Sequence, residues 1–126
     1  MIRLNAAQLD AFVNAKAAAV VHFDAKWDVS YRPIVRRKLE DAEVRFGERI
    51  NFGEIDWDEN PDLMRTMRAY NVPLVAYYRD GRFVAALVGY KQNVQLRLER
   101  LLRGEPIGYK DGADRDYTIR LWPYTG

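Results

Sequence analysis

The run Ala18-Ala19-Val20-Val21-His22-Phe23 constrains this chain more than any other stretch, because every position in it except His22 is apolar. A strand with one wet face alternates apolar and polar residues, whereas a strand covered on both faces reads as a continuous apolar run. The run therefore predicts a central strand between two helical layers. Ile2 to Leu4 reads as a short strand before it, and Asn5 is a plausible N-cap for a helix with Leu9, Phe12 and Val13 on its apolar face. After it, Ile34, Val35, Leu39, Ala42 and Phe46 predict a long helix over about Ser30 to Phe46, with Gly47 as its stop.

Ile50 to Asp56 continues as a strand, and Asn60-Pro61 opens a helix as a cap followed by proline at the first helical position. Leu63, Met64 and Met67 line that helix. Leu74 to Tyr78 and Phe83 to Val88 are strands joined by Arg79-Asp80-Gly81-Arg82, whose Asp-Gly pair signals a hairpin. Val94, Leu98, Leu101 and Leu102 mark a last helix ending near Gly104. The order predicts an α/β domain with a central mixed β-sheet of about five strands and about four flanking helices.

At 126 residues, 48% of them hydrophobic, the chain suits one such domain. Its net charge of +2 is the difference of 20 basic and 18 acidic residues spread along the sequence, which argues against nucleic acid or a membrane surface as a partner. The densest basic group, Arg36-Arg37-Lys38 with Arg32 a turn earlier, is a candidate anion site. Glu40, Asp41 and Glu43 follow at once and cancel much of its field, so a solvated mixed-charge face is the favoured reading. No stretch approaches a membrane span or a secretory signal, and a cytoplasmic location is expected.

The composition contains no cysteine, which excludes a disulfide framework and a thiolate metal site; no metal or cofactor is expected. Residues 1–103 read as the folded domain. Residues 104–126 form a C-terminal extension, rich in turn formers and then alternating from Tyr117 to Trp122. It is expected to dock on the domain or to present Trp122 and Tyr124 to a partner, which leaves a monomer or a weak homodimer through the tail.

Four segments together resemble the thioredoxin family over about residues 2 to 103. Val20-Val21-His22-Phe23-Asp24-Ala25-Lys26-Trp27 is similar to the strand that enters the family's active-site loop, and Asp56-Trp57-Asp58-Glu59-Asn60-Pro61 to its Asp-x-Asp-x-Asn-Pro corner. Tyr70-Asn71-Val72-Pro73 resembles the segment that holds its cis-proline. Tyr78-Arg79-Asp80-Gly81-Arg82 with Val88-Gly89 resembles its closing hairpin and following glycine. The resemblance implies a thioredoxin-like fold.

The departures carry the functional information. Trp27-Asp28-Val29-Ser30-Tyr31 stands where the family has its Cys-x-x-Cys loop, with Asp28 and Tyr31 at the two cysteine positions. Neither a carboxylate nor a phenol can form the mixed disulfide that thiol exchange requires. Ser30 reads as a helix N-cap rather than a nucleophile. His22 aligns with the family's buried aspartate and Glu54 with the lysine that approaches it, so the two are expected to form a buried hydrogen-bonded pair.

The resemblance further implies a cis bond before Pro73 and a shallow groove lined by Trp27, Tyr31, Val72, Pro73 and Gly89, with Val72 able to pair with an extended peptide. Asp58 is expected to accept a hydrogen bond from the Trp27 indole, and Trp57 to fill space left by Asp24. The expected function is redox-inactive binding of a protein or peptide partner, in a chaperone-like or adaptor role. Two alternatives are a structural or assembly subunit working through the tail, and a noncysteine enzyme using His22, Glu54 and Ser30.

Overall fold

The apolar run at 18–23 becomes the centre of the sheet. The computed structural model describes residues 1–107 and the backbone of 121–122; most of the predicted 104–126 extension, including Tyr117 and Tyr124, lies outside the described residues. In chain order the elements are β1 (Ile2–Leu4), a 3-10 turn (Ala6–Gln8), α1 (Leu9–Asn14), β2 (Ala18–Asp24), α2 (Arg32–Phe46), β3 (Ile50–Asp56), α3 (Pro61–Thr66), β4 (Leu74–Arg79), β5 (Arg82–Val88), α4 (Val94–Leu102) and β6 (Leu121–Trp122). The sheet runs β1-β3-β2-β4-β5-β6, a mixed sheet of five strands extended at one edge by the two-residue β6. β2 pairs parallel with β3 and antiparallel with β4, and β6 pairs antiparallel with β5.

Strand alternation sorts the core into two layers. Ala18 and Val20 face α2 and α4, packing with Val35, Leu39, Leu98 and Leu101, while Ala19, Val21 and Phe23 face Phe12, Val13, Met64 and Met67 on the α1 and α3 side. All seven residues of β2 are buried, as a doubly covered strand requires. The same alternation puts His22 and Asp24 on the α2 face, at the end of the Ala18/Val20 row. Burial continues past Gly104 to Ile107, which joins the α2/α4 layer.

Several local expectations change. Asn5 caps as predicted, but it closes a reciprocal capping box with Gln8 around the 3-10 turn, and α1 follows. α2 begins at Arg32 rather than Ser30, and its residue Ile34 is 40% exposed rather than core-facing. Asn60 precedes α3 without capping it: its side chain accepts from the Ala6 N–H and donates to the Asp56 carbonyl, tying the amino-terminal turn to the end of β3. Gly47 ends α2 in ordinary right-handed geometry, and glycine serves there because a Cβ would lie 2.7 Å from the Glu43 carbonyl oxygen.

Gly53 in β3 meets a similar limit, since a Cβ would approach the Phe12 ring to 2.8 Å and Leu4 Cδ1 to 3.0 Å. Overpacking of this kind costs about 1–3 kcal/mol. Gly53→Ala is expected to lower the urea midpoint by a corresponding amount without changing the unfolding slope; an unchanged midpoint would show that α1 is not seated on β3 as described.

Candidate functional site

The loop from Ala25 to Tyr31 leaves β2 as two tight turns. Asp28 N–H donates to the Ala25 carbonyl at 3.0 Å and Val29 N–H to the Trp27 carbonyl at 3.1 Å. Ser30 does not cap α2, whose N-cap residue is Tyr31 with no side-chain cap bond; Asp28 instead closes the turn before the helix, its Oδ1 accepting the Tyr31 N–H at 3.2 Å, and it is largely buried while Ser30 is exposed. An aspartate whose carboxylate accepts a backbone N–H a few residues on is a common way to close such a turn. Asp28 therefore occupies a cysteine position of the family pattern and does structural work there.

The closed loop turns its large side chains outward. Trp27 is 55% exposed, Val29 79% and Tyr31 43%. Trp27 packs edge-on against Trp57 at 6.0 Å between ring centres, and no hydrogen bond links its indole to Asp58, contrary to expectation. Trp57 belongs to the α1/α3 layer, so it does not fill space beside Asp24 on the opposite face; two arginines do. Tyr31 stacks on Tyr90 with ring centres 4.4 Å apart and planes within 7°. Tyr90 was not singled out in the sequence, where its only signal is an aromatic side chain directly after Gly89.

Tyr90 is held by a braced segment. Gln92 is fully buried, accepts from the Tyr77 hydroxyl at 2.9 Å, and donates to the carbonyls of Leu87 and Gly89 at 3.2 and 2.8 Å. Lys38 of α2 donates to the carbonyls of Tyr90 and Gln92 at 2.8 and 3.1 Å. A buried amide with its hydrogen bonds satisfied rigidifies the backbone it holds.

Phe23 pairs with Leu74 and Leu74 with Val88, so the loop after β2, the Val72-Pro73 segment and Gly89 all emerge at one end of the sheet. The Val72–Pro73 bond is cis, Pro73 is buried, and its carbonyl accepts the Gly89 N–H at 2.9 Å. Val72 is half-buried, and among the described residues its peptide N–H and carbonyl make no hydrogen bond.

Beneath the loop lies a charged cluster. His22 and Glu54 are paired across β2 and β3, with Nδ1 and Oε2 3.2 Å apart and both side chains buried. An ionised carboxylate only accepts, so Nδ1 carries the shared hydrogen. Arg36 of α2 grips the same carboxylate with both arms of its fork, at 2.8 and 3.1 Å. One step along β2, Asp24 is wholly buried and receives a fork from Arg32 and a further bond from Arg3 of β1 at 3.0 Å. Arg3 also lies 3.9 Å from Glu54.

Burial pushes the Asp24 carboxyl up, but the bonds from Arg32 and Arg3 and the nearby positive charge outweigh it and bring the pKa down to about 2. Burial likewise raises Glu54, and bonds from His22 and Arg36 carry it down to about 2. One donor atom from each of His22, Asp24 and Glu54 lies within 4.8 Å of the others. A cation could use them only after the guanidinium forks had left, since the carboxylate lone pairs already face arginine.

No family model matches the chain. Thioredoxins of Listeria monocytogenes and Listeria innocua are each 26% identical to it over 82 residues, which is 65% of this chain and 79% of the relative. A Plasmodium falciparum thioredoxin superposes with a TM-score of 0.66 at 18% identity, covering 82% of this chain and 98% of that one. Human ERp44 in a zinc-bound form superposes with a TM-score of 0.65 at 21% identity, covering 82% of this chain but only 31% of that chain. The chain is thus a thioredoxin-like α/β protein, and an atypical member of that class because it has no cysteine at all.

Both carboxyls have folded pKa values below their ordinary 3.8 and 4.5, so their stabilising contribution is complete above those ordinary values and is lost as pH falls from about 4.5 toward 2. The urea midpoint is expected to be flat above pH 5 and to drop across that window. Glu54→Gln, which loses charge-assisted hydrogen bonds, should cost about 1.5–3 kcal/mol at pH 7 and flatten the acid limb. An unchanged acid limb in this variant would remove Glu54 from the network.

Proposed function

We propose that the chain works without redox chemistry, by binding an extended segment of a protein partner in the groove framed by Trp27, Tyr31, Val72, Pro73 and Gly89. With no thiolate it has nothing to attack a disulfide, so thiol-disulfide exchange is implausible. The observation that carries the binding reading is Val72: among the described residues its peptide N–H and carbonyl have no partner, at the sheet end where Trp27 is exposed. An added strand satisfies such groups, and aromatic side chains beside it supply contact area at low entropic cost. The Tyr31–Tyr90 stack and the braced segment behind it present this surface already ordered, which lowers the cost of binding. A chaperone-like or adaptor role follows from this reading.

The His22–Glu54 geometry favours a pairing role over acid-base catalysis, because Arg36 occupies both oxygens of Glu54 and His22 is buried. Among the described residues no helix is long and apolar enough to cross a membrane. The rival role for the tail rests on residues outside those described, apart from the pairing of Leu121–Trp122 with β5.

Affinity capture from source lysate separates the two readings. Trp27→Ala with Tyr31→Ala is expected to lose partners that wild type captures, while truncation after Gly104 retains them. Partners lost on truncation but kept by the double variant would transfer the function to the tail. An insulin reduction assay should show no turnover above background, and sustained turnover by pure protein would sink the redox-inactive reading.

A further inference from the structure

Arg3, Arg32 and Arg36 come from β1 and two successive turns of α2, yet their guanidinium groups meet over the same two buried carboxylates. We propose that their outward sides form a binding site for a single carboxylate group. Arg32 and Arg36 each use Nε and one Nη on Asp24 and Glu54, and Arg3 uses one Nη. Among the described residues Nη1 of Arg32, Nη1 of Arg36, and Nε and Nη1 of Arg3 make no hydrogen bond; neither Nη1 of Arg32 nor Nη1 of Arg36 is buried, and Arg3 is an exposed residue. The three side chains are 44, 25 and 34% exposed, so the unused donors face solvent.

Three features make this more than a basic patch. The forks are held from behind by buried carboxylates, so the rotamer entropy of three arginines is already spent before a ligand arrives. Three guanidinium charges stand against the two carboxylates, Asp24 and Glu54, and the nearby Asp56 is matched by Lys26 at 3.3 Å, which leaves one cation in excess. A monoanion balances that excess, and a planar carboxylate matches the fork geometry.

The acids that follow on α2 do not all cancel it. Asp41 pairs with Arg37 at 3.3 Å and Glu43 with the terminal ammonium at 2.9 Å, while Glu40 is exposed. Asp28 turns its carboxylate to the Tyr31 N–H. The site uses none of the side chains that frame the groove, although Arg32 follows Tyr31 in the chain, and Arg3 reaches it from β1, two strands from β2 on the side away from β4. Its failure would leave the groove reading untouched.

The carboxylate has two possible sources, a free small acid or a glutamate side chain of a polypeptide, and the experiment distinguishes them. Arginine Nε–Hε resonances are followed by NMR during titration with sodium acetate, with sodium chloride at equal ionic strength, and with a blocked glutamate-rich hexapeptide. Saturable shifts of the Arg3 Nε–Hε signal with acetate, absent with chloride, are expected. A peptide binding at least about tenfold tighter than acetate assigns the polypeptide source, and equal affinity the small acid.

Arg3→Gln leaves Asp24 its fork from Arg32 and should weaken binding at least about fivefold; Arg3→Lys, with charge kept and fork lost, should weaken it less, and Arg37→Gln not at all. Linear shifts indistinguishable from chloride, or undiminished affinity in both Arg3 variants, would overturn the proposal.

Discussion

Three carboxylates are buried at the end of the central strands, and for two of them, Asp24 and Glu54, the surrounding arginines are arranged to make this tolerable. An isolated ionised carboxylate inside a protein is costly enough that it would ordinarily protonate. Here Asp24 and Glu54 are held ionised by two bidentate arginines, a third arginine and the single histidine. That arrangement ties β1, β2, β3 and the first turns of α2 to one another. The direction in which α2 leaves the loop, and hence where Trp27 and Tyr31 stand, follows from Arg32 and Arg36 being anchored below.

Above this layer the loop itself is short, closed and outward-facing. Asp28 closes the turn onto α2, and Tyr31 leaves its own segment to stack on Tyr90, whose backbone is fixed by buried Gln92 and by Lys38. The result is an exposed aromatic rim beside a half-buried peptide unit at Val72 whose N–H and carbonyl have no partner among the described residues. Reactive thiols have no place in it. Charged chemistry sits beneath the loop and on the flank toward β1, and apolar contact surface lies above it.

Much of this architecture was legible because it rests on local rules. A doubly covered strand must be apolar throughout, which marked β2; an Asp-Gly pair between two strands must turn, which marked the β4–β5 hairpin. The His22–Glu54 pairing was expected from the resemblance, and the parallel register of β2 and β3 brings the two side chains together. What stayed hidden depends on partners distant in sequence. Arg3 and Arg32 reach Asp24 across 21 and 8 residues, and Arg36 reaches Glu54 across 18. In the sequence Arg32 and Arg36 belonged to a basic group read chiefly as a solvated mixed-charge face, with anion binding as the alternative, and Arg3 carried no signal of its own. Asn60 was misread for the same reason: an asparagine before proline signals a cap, but its amide found Ala6 and the Asp56 carbonyl instead.

The sequence by itself determined the order and type of the elements, the layered α/β core, and the impossibility of dithiol chemistry, because each follows from residue identity or short-range periodicity. Only the tertiary structure decided which side chains would compensate the buried acids, that Tyr31 would pair with Tyr90, and that Val72 would find no partner for its peptide groups among the described residues. Those outcomes hang on long-range geometry: hydrogen-bond satisfaction and ring stacking are settled between whichever groups the folded chain brings within reach, and no spacing along the chain specifies them.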